Sequence, residues 1–380
     1  MLLMPFGILF FWISGLLSIA LLGAGIRLVW FWYEKGAVLA NDEAYLWAGL
    51  GMVAFSLLGG PLIIRPLLRL RRGPDEPQPA RNGVAHRIAR PDGSELHVEI
   101  YGPANAPALI LTHGWGLDGT EWYYAKRHLA ERFRLIVWDL PGLGKSARPK
   151  NNDHSLEKMA GDLEAVIGLA GNGPVVLVGH SIGGMITLTF CRLFPEQLGS
   201  RVAGLILTHT TYTNPVETAK FSGFLRAVQK PLLEPLMHLM IALPPLARLM
   251  SWLNYLNGMT HLHVHRDHYS GHETRGQMEF IARFSLQAPP SVVARGMLAM
   301  MHWDATETLP TISVPTLVVA ANADKATLPV ASQRMAETIP GARIVDLTPA
   351  GHTGLIEQHG KWVEVVNAFA ADCLGAQRTA

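Results

Sequence analysis

The stretch "VVLVGHSIGG", residues 175–184, decides the fold. Its four branched apolar residues lack polar alternation, which is how a strand buried on both faces reads. They end at Gly179, His180 and Ser181, and residues 182–194 then carry an amphipathic helical pattern. Gly179, His180, Ser181, Ile182 and Gly183 fit G-x-S-x-G, and the strand-to-helix context is the one that motif requires. A turn this sharp forces the serine into a strained conformation, and small residues two before and two after it let the backbone pass closely. Oγ then projects above the sheet edge at a helix N-terminus, where the dipole favours developing negative charge. The motif alone occurs by chance; here strand, motif and helix coincide.

The same alternation extends outward. Residues 84–102, "VAHRIARPDGSELHVEIYG", predict a hairpin turning at 91–93. Short apolar runs follow at 108–114, 134–140, 174–180, 202–210, 315–324 and 342–349. Helical patterns lie between them at 121–132, 155–169, 182–194, 329–338 and 361–373. This predicts an α/β fold with a mostly parallel central sheet covered by helices. Residues 211–299 break the rhythm with no clear strand of their own. Within them, residues 230–256 are strongly apolar, but Glu234, His238, Arg248 and prolines interrupt the run, so it makes a poor spanning helix. The expectation is a helical cap insertion over the C-terminal strand edge, where open α/β sheets place their sites. Its Leu and Met side chains would line an apolar pocket as well as pack the cap itself.

A serine nucleophile needs a base, and the base needs an orienting acid. Among 16 histidines, His352 stands in a loop just after the last strand, at the sheet edge that carries Ser181. Asp324 closes the preceding strand, and the chain order Ser181, Asp324, His352 suits this architecture. Asp139 and Asp304 are rivals for the acid. Asp139 more naturally shapes the loop "LPGLG", and Asp304 lies in the return from the cap. An oxyanion hole needs two backbone amides. Ile182 follows the nucleophile, and the loop His113, Gly114, Trp115 offers the amide of Trp115, with His113 bracing the loop.

Taken together, "LTHGWG", "WDLPGLGKS", "GHSIGG", "PTLVVAANAD" and "AGHTGLIEQ" occur in the order and spacing of the α/β-hydrolase superfamily, and the chain resembles that superfamily over roughly residues 83–373. The resemblance implies Ser181 as nucleophile, His352 as base, Asp324 as acid, and Trp115 and Ile182 as oxyanion donors, with no cofactor and no metal. The nucleophile is serine. That departs from the epoxide-hydrolase and haloalkane-dehalogenase branches, which use a carboxylate.

The N-terminus reads differently. Residues 1–26 carry no charge, Arg27 and the aromatic cluster at 30–33 follow, and a second uncharged run covers 44–64. About 20 apolar residues span the hydrocarbon of a bilayer as a helix, so residues 1–70 predict a membrane hairpin with transmembrane helices at about 5–30 and 44–64. A cleaved signal peptide fits poorly, because no basic segment precedes the first run and that run exceeds a signal core of about 7–15 residues. Arg65, Arg69, Arg71 and Arg72 follow the second run, while the intervening loop mixes Glu34, Lys35, Asp42 and Glu43. The arginine excess places the C-terminal side, and the catalytic domain, in the cytoplasm. Residues 71–83 read as a polar, Pro-rich linker, and residues 84–376 as the hydrolase domain, with the cap at about 211–299.

Composition excludes other classes. A net charge of +2 gives no basic field for nucleic acid. Two cysteines, Cys191 and Cys373, form neither a disulfide framework nor a CxxC site. "GLGKS" ends like a phosphate-binding loop, but Asp139 stands where that motif needs its first glycine. The histidines of "HLHVHRDHYSGHE" (261–273) would suit zinc in an extended segment; the plainer expectation is a polar, partly exposed cap surface. The functional expectation is a membrane-anchored serine hydrolase of carboxylic esters, with lipophilic acyl esters suggested by the anchor and the apolar cap. Thioesters, lactones or carbon–carbon bonds are alternative substrates for the same triad. A non-catalytic, membrane-anchored binding protein is the alternative from another class.

Overall fold

The computed structural model describes residues 5–35 and 42–376; residues 36–41, the middle of the expected hairpin loop, lie outside the described residues with 1–4 and 377–380. Eight strands form one sheet: β1 (Val84–Ala89), β2 (Glu95–Tyr101), β3 (Ala108–Thr112), β4 (Arg134–Trp138), β5 (Val175–His180), β6 (Val202–Thr208), β7 (Thr316–Ala321) and β8 (Arg343–Leu347). Their spatial order is β1-β2-β4-β3-β5-β6-β7-β8. β2 runs antiparallel to β1 and β4, and every other pair is parallel. This is the α/β-hydrolase fold.

β3, β5, β6 and β7 are buried along their whole length, which explains why they read as continuous apolar runs. Alternate residues of β5 feed two apolar layers. Val175 and Leu177 pack with Leu163 and Ile186 of helices Leu156–Ile167 and Ile182–Leu193. Val176 and Val178 belong with Trp362 and Phe369 of helix His359–Ala376 on the other face. Burial of each such side chain contributes about 1.5–3 kcal/mol. The register sets Thr112 beside Gly179 and His180 beside Thr208, so the chain leaves β3, β5 and β6 at one edge.

Six α-helices separate β6 from β7: Ser222–Val228, Glu234–Ala242, Pro244–Leu256, Met259–His268, Arg275–Gln287 and Pro290–Met301. The chain bends by 102° between Ala242 and Pro244, where two prolines cannot continue the preceding hydrogen-bond ladder. Helix Arg275–Gln287 starts at a capping box in which the Thr274 hydroxyl accepts from the Gln277 amide at 3.2 Å.

Two helices are long and apolar enough to cross a membrane, Phe6–Glu34 with 29 residues and Glu43–Leu68 with 26. The second runs past the expected end at 64, through a π-helical turn at Gly60–Ile64 that contains Pro61. The first is also built into the cap. Ile8 and Trp12 are buried in the larger core. Ser18 Oγ donates to Asn254 Oδ1 at 3.1 Å and accepts from Asn257 Nδ2 at 2.7 Å. Phe6 lies edge-on to Phe221 and stacks on Phe224, with centroids 6.1 and 6.4 Å apart.

The Pro-rich segment 71–83 is strapped to the domain rather than free. The Arg71 carbonyl accepts from the Arg275 amide at 2.8 Å, and the Asp75 carbonyl accepts from the Tyr124 hydroxyl at 2.7 Å. Arg81 stands among three carboxylates, 3.1 Å from both Asp118 and Asp139 and 3.7 Å from Glu99. Removing one partner of a buried ion pair costs about 3–5 kcal/mol, because the remaining charge stays uncompensated. Arg81→Ala is therefore expected to lose stability of that order in urea unfolding of detergent-solubilised protein. A loss below about 1 kcal/mol, the range of exposed pairs, would show the strap to be idle.

Candidate active site

Ser181 sits between the end of β5 and helix Ile182–Leu193 with φ 53° and ψ −120°. Such a backbone costs a non-glycine residue of order 1–3 kcal/mol and persists only where its surroundings over-determine it. They do so here. The Ser181 amide donates to the Thr208 carbonyl at 3.0 Å, and its own carbonyl accepts from Thr210 Oγ1 at 2.6 Å. A Cβ at Gly179 would lie 2.4 Å from the Gly183 carbonyl carbon, and one at Gly183 would lie 2.2 Å from the Thr112 carbonyl oxygen. The two motif glycines are thus required by the crossing of strand and helix.

Ser181, His352 and Asp324 come together across more than 140 residues of chain. His352 Nε2 is 3.1 Å from Ser181 Oγ, and His352 Nδ1 is 2.9 Å from Asp324 Oδ2. Nδ1 faces a carboxylate and carries the proton, which leaves Nε2 as the acceptor toward the hydroxyl. Asp324 Oδ1 accepts from the amides of Ala326 and Thr327 at 2.7 and 2.9 Å, and Oδ2 also accepts from Thr327 Oγ1 at 2.9 Å. Burial alone would raise this carboxyl's pKa, but the His352 ring, aided by these donors, outweighs it and holds the pKa below the usual value. Asp324 stays ionised and fixes the imidazole's orientation. Ser181 is 7% exposed and His352 fully buried, so the hydroxyl faces a nearly closed space.

The rival acids lie elsewhere in the hydrogen-bond pattern. Asp139 Oδ1 accepts from the Gly119 amide at 2.7 Å and Oδ2 from the Lys145 amide at 2.8 Å, so it shapes its own loop. Asp304 accepts from the Thr306 amide at 2.9 Å at the start of a short helical turn.

Ile182 is the first residue of its helix, and its amide has no carbonyl within the helix to bond. In the loop after β3, His113 Nε2 accepts from the Leu140 amide at 2.9 Å, so Nδ1 is the donor toward the Gly114 carbonyl at 2.8 Å. His113 braces the loop. The Gly114 amide donates to Glu121 Oε2 at 2.9 Å, and the next amide in the loop is that of Trp115. The Trp115 indole is buried and donates to the Val293 carbonyl at 2.9 Å, tying this loop to cap helix Pro290–Met301.

Glu121 escaped sequence reasoning, as did the role of His180 beyond its place in the turn. Glu121 Oε1 lies 2.5 Å from His180 Nδ1, and both side chains are wholly buried. His180 Nε2 donates to the His352 carbonyl at 3.0 Å. Both ring nitrogens face acceptors, so the ring is an imidazolium. Burial would push its pKa down, but the Glu121 charge outweighs burial and raises it. One carboxylate thus ties the oxyanion loop, the nucleophile turn and the His352 loop together. Nothing in a lone Glu inside an amphipathic pattern announces this. Glu357 has a similar effect from the cap side, accepting from the Gly351 amide at 2.8 Å and from Ser270 Oγ at 2.5 Å.

The His-rich segment departs from the expectation of a polar, partly exposed surface. Residues 259–268 are helical, and His261, His263 and His268 are buried. The His268 ring lies 6.1 Å from the His352 ring and 5.5 Å from that of His263. The helix spaces these side chains around its axis, and among the described residues no three His, Cys, Asp or Glu side chains are grouped to hold a metal ion.

Three buried histidines near the site are held neutral. Burial is the main cause for His154, lowered to about 4, for His209, lowered to about 3, and for His268, lowered well below its ordinary value. Below pH 6.5 the unfolded chain takes up protons that these folded rings refuse, so stability is lost as pH falls from about 6.5 toward 4. His180, with its raised pKa, opposes this slope near pH 6.5, where the folded ring already holds a proton that the unfolded one is still taking up, and adds none at lower pH. Each neutral ring contributes about 1 kcal/mol per pH unit. Urea unfolding at pH 7, 6 and 5 should show the decline, and His154→Phe should flatten it; a pH-independent midpoint would refute the assignment.

The α/β hydrolase fold family model matches residues 107–358. A thermophilic esterase from Thermogutta terrifontis superposes with a TM-score of 0.62 at 27% identity, covering 77% of this chain and 99% of that one. A Caulobacter sp. (strain K31) protein named for carbamate hydrolysis, RutD, is 27% identical over 282 residues, which is 73% of this chain and 94% of its own. The pimeloyl-[acyl-carrier protein] methyl ester esterase of Aeromonas salmonicida is 34% identical over 107 residues, 28% of this chain and 40% of its own. With a family match over about two thirds of its length and the fold to go with it, the chain belongs to the α/β hydrolase fold family.

Proposed function

We propose that this hydrolase is a membrane-anchored serine esterase acting on lipophilic acyl esters. The observation that carries the reading is the run of contacts from Ser181 Oγ through His352 to Asp324, at 3.1 and 2.9 Å, on a strained strand-to-helix turn. Ser181 Oγ attacks the ester carbonyl as His352 Nε2 takes its proton. The tetrahedral oxyanion is received by the amides of Trp115 and Ile182, with the helix N-terminus behind the latter. The alcohol leaves with the proton from His352, and water attacks the acyl-enzyme with His352 again as base. Asp324 stabilises the imidazolium formed in each step. Esterase names among the similar proteins support esters over other acyl compounds. The carbamate name of the Caulobacter relative favours a second substrate class for the same chemistry.

The two apolar helices cross the bilayer as a hairpin in this reading. Arg69, Arg71 and Arg72 are exposed beyond the second helix and hold the catalytic domain in the cytoplasm. Arg65 adds less, since it pairs with Glu279 at 3.3 Å. In sealed bacterial spheroplasts, external protease should leave the hydrolase domain intact; its degradation would reverse the orientation.

Ser181→Ala and His352→Ala are each expected to lower kcat on p-nitrophenyl esters by about 10⁶-fold, with Ser181→Ala leaving the unfolding midpoint nearly unchanged. A fluorophosphonate probe should label the parent and not Ser181→Ala. Equal labelling of both, or no labelling of folded parent, would defeat the serine mechanism.

A further inference from the structure

Two apolar spaces meet at Phe10 of the first membrane helix. One is a narrow pocket between that helix and the cap, enclosing about 530 Å³ of space with open solvent included, walled by Phe10 and Phe11 on one side and by Met240, Ala288 and Val293 on the other. The other is an open groove of about 720 Å³ along the helix pair, bordered by Phe10, Leu17, Leu21 and Phe55. Leu17 is 64% exposed, at a level where a spanning helix meets lipid. Phe10 stands between the two spaces. Its ring stacks on His263 with centroids 5.2 Å apart, and the Arg266 guanidinium lies 6.0 Å from its centroid.

Two serines of the wall spend their hydroxyl protons on backbone carbonyls. Ser251 Oγ donates to the Ala247 carbonyl at 3.0 Å and Ser285 Oγ to the Ala282 carbonyl at 2.7 Å. Asn254 Oδ1 accepts from Ser18. Thr260 and His263 also border the space, beside mostly hydrocarbon and aromatic surface. Packed side chains link its wall to the reaction centre. The Val293 carbonyl that helps wall it holds the Trp115 indole at 2.9 Å, and His263 leads through His268 to His352 in ring-to-ring steps of 5.5 and 6.1 Å.

We propose that this cavity is the acyl-chain compartment, that the first membrane helix forms one of its walls, and that the groove beyond Phe10 is the path by which the chain enters from the bilayer. The inference rests on the ester-hydrolase reading for its substrate. The anchor is then part of the specificity pocket rather than a tether.

The test is a p-nitrophenyl ester series from acetate to palmitate with purified full-length protein in detergent. Ala288→Phe fills the cavity and should lower kcat/KM for laurate and longer esters by about tenfold or more, with acetate changed less than about twofold. Phe10→Ala joins the two spaces and should move the optimum to longer chains. Gly23→Ala, whose added Cβ meets nothing within 4 Å, should keep the parent profile. Parallel losses on all esters, or a parent-like profile for both Ala288→Phe and Phe10→Ala, would overturn the compartment. A second readout separates this outcome from failure of the esterase reading: binding of the fluorescent fatty acid parinaric acid to Ser181→Ala protein. Folded parent that cleaves no ester sinks the esterase reading alone. Parinaric acid binding that Ala288→Phe leaves unchanged sinks the compartment alone.

Discussion

The backbone of Ser181 is the constraint on which the site depends. At φ 53° and ψ −120° a side chain is held where strand and helix cross too closely for any Cβ at 179 or 183. The strain is sustained by bonds on both sides of the residue, to Thr208 on β6 and from Thr210 just beyond it. With that turn fixed, the position of Oγ is set by β5 and not by a mobile loop. Asp324 and His352 follow the ends of β7 and β8, which lie in register with the sheet. The geometry of the three groups therefore inherits the stiffness of the sheet.

Beneath the reacting atoms lies a second polar layer that makes no contact with them. Glu121 and the imidazolium of His180 form an ion pair with no exposed surface. Such a pair is weak evidence for stability, since desolvation opposes its attraction. Its value here is positional. The same carboxylate holds the Gly114 amide, and the same ring holds the His352 carbonyl. Three segments far apart in sequence thus share two side chains, and a shift in one loop is felt by the others. The cationic ring also helps keep neighbouring His209 neutral, 5.9 Å away.

The legible parts of this molecule were those whose requirements are local. Glycines at 179 and 183, a buried strand before them and a helix after them are a steric necessity written in consecutive residues. The chain order of Ser181, Asp324 and His352 follows from strands ending at one edge. What stayed hidden depends on distant partners. Arg81 meets Asp139 across 58 residues, so a Pro-rich polar stretch that reads as a linker is held down along its length. Helix 259–268 reads as surface because it is rich in histidine, yet its neighbours bury three of the rings. The first apolar helix was legible as one long and apolar enough to cross a membrane. Its docking was not, because a Phe or Ile facing lipid and one facing protein look the same in sequence.

That docking changes what the closed site implies for chemistry. Ser181 is 7% exposed and the His352 ring fully buried, while apolar side chains of the cap and first helix share the larger core. In the proposed reaction the acyl group meets surroundings like those it leaves in the bilayer, so little desolvation opposes its transfer. Water is in the opposite position. Deacylation needs one water at the His352 nitrogen, and the closed site must admit it. In that reaction the same closure would strengthen every electrostatic contact made to the oxyanion.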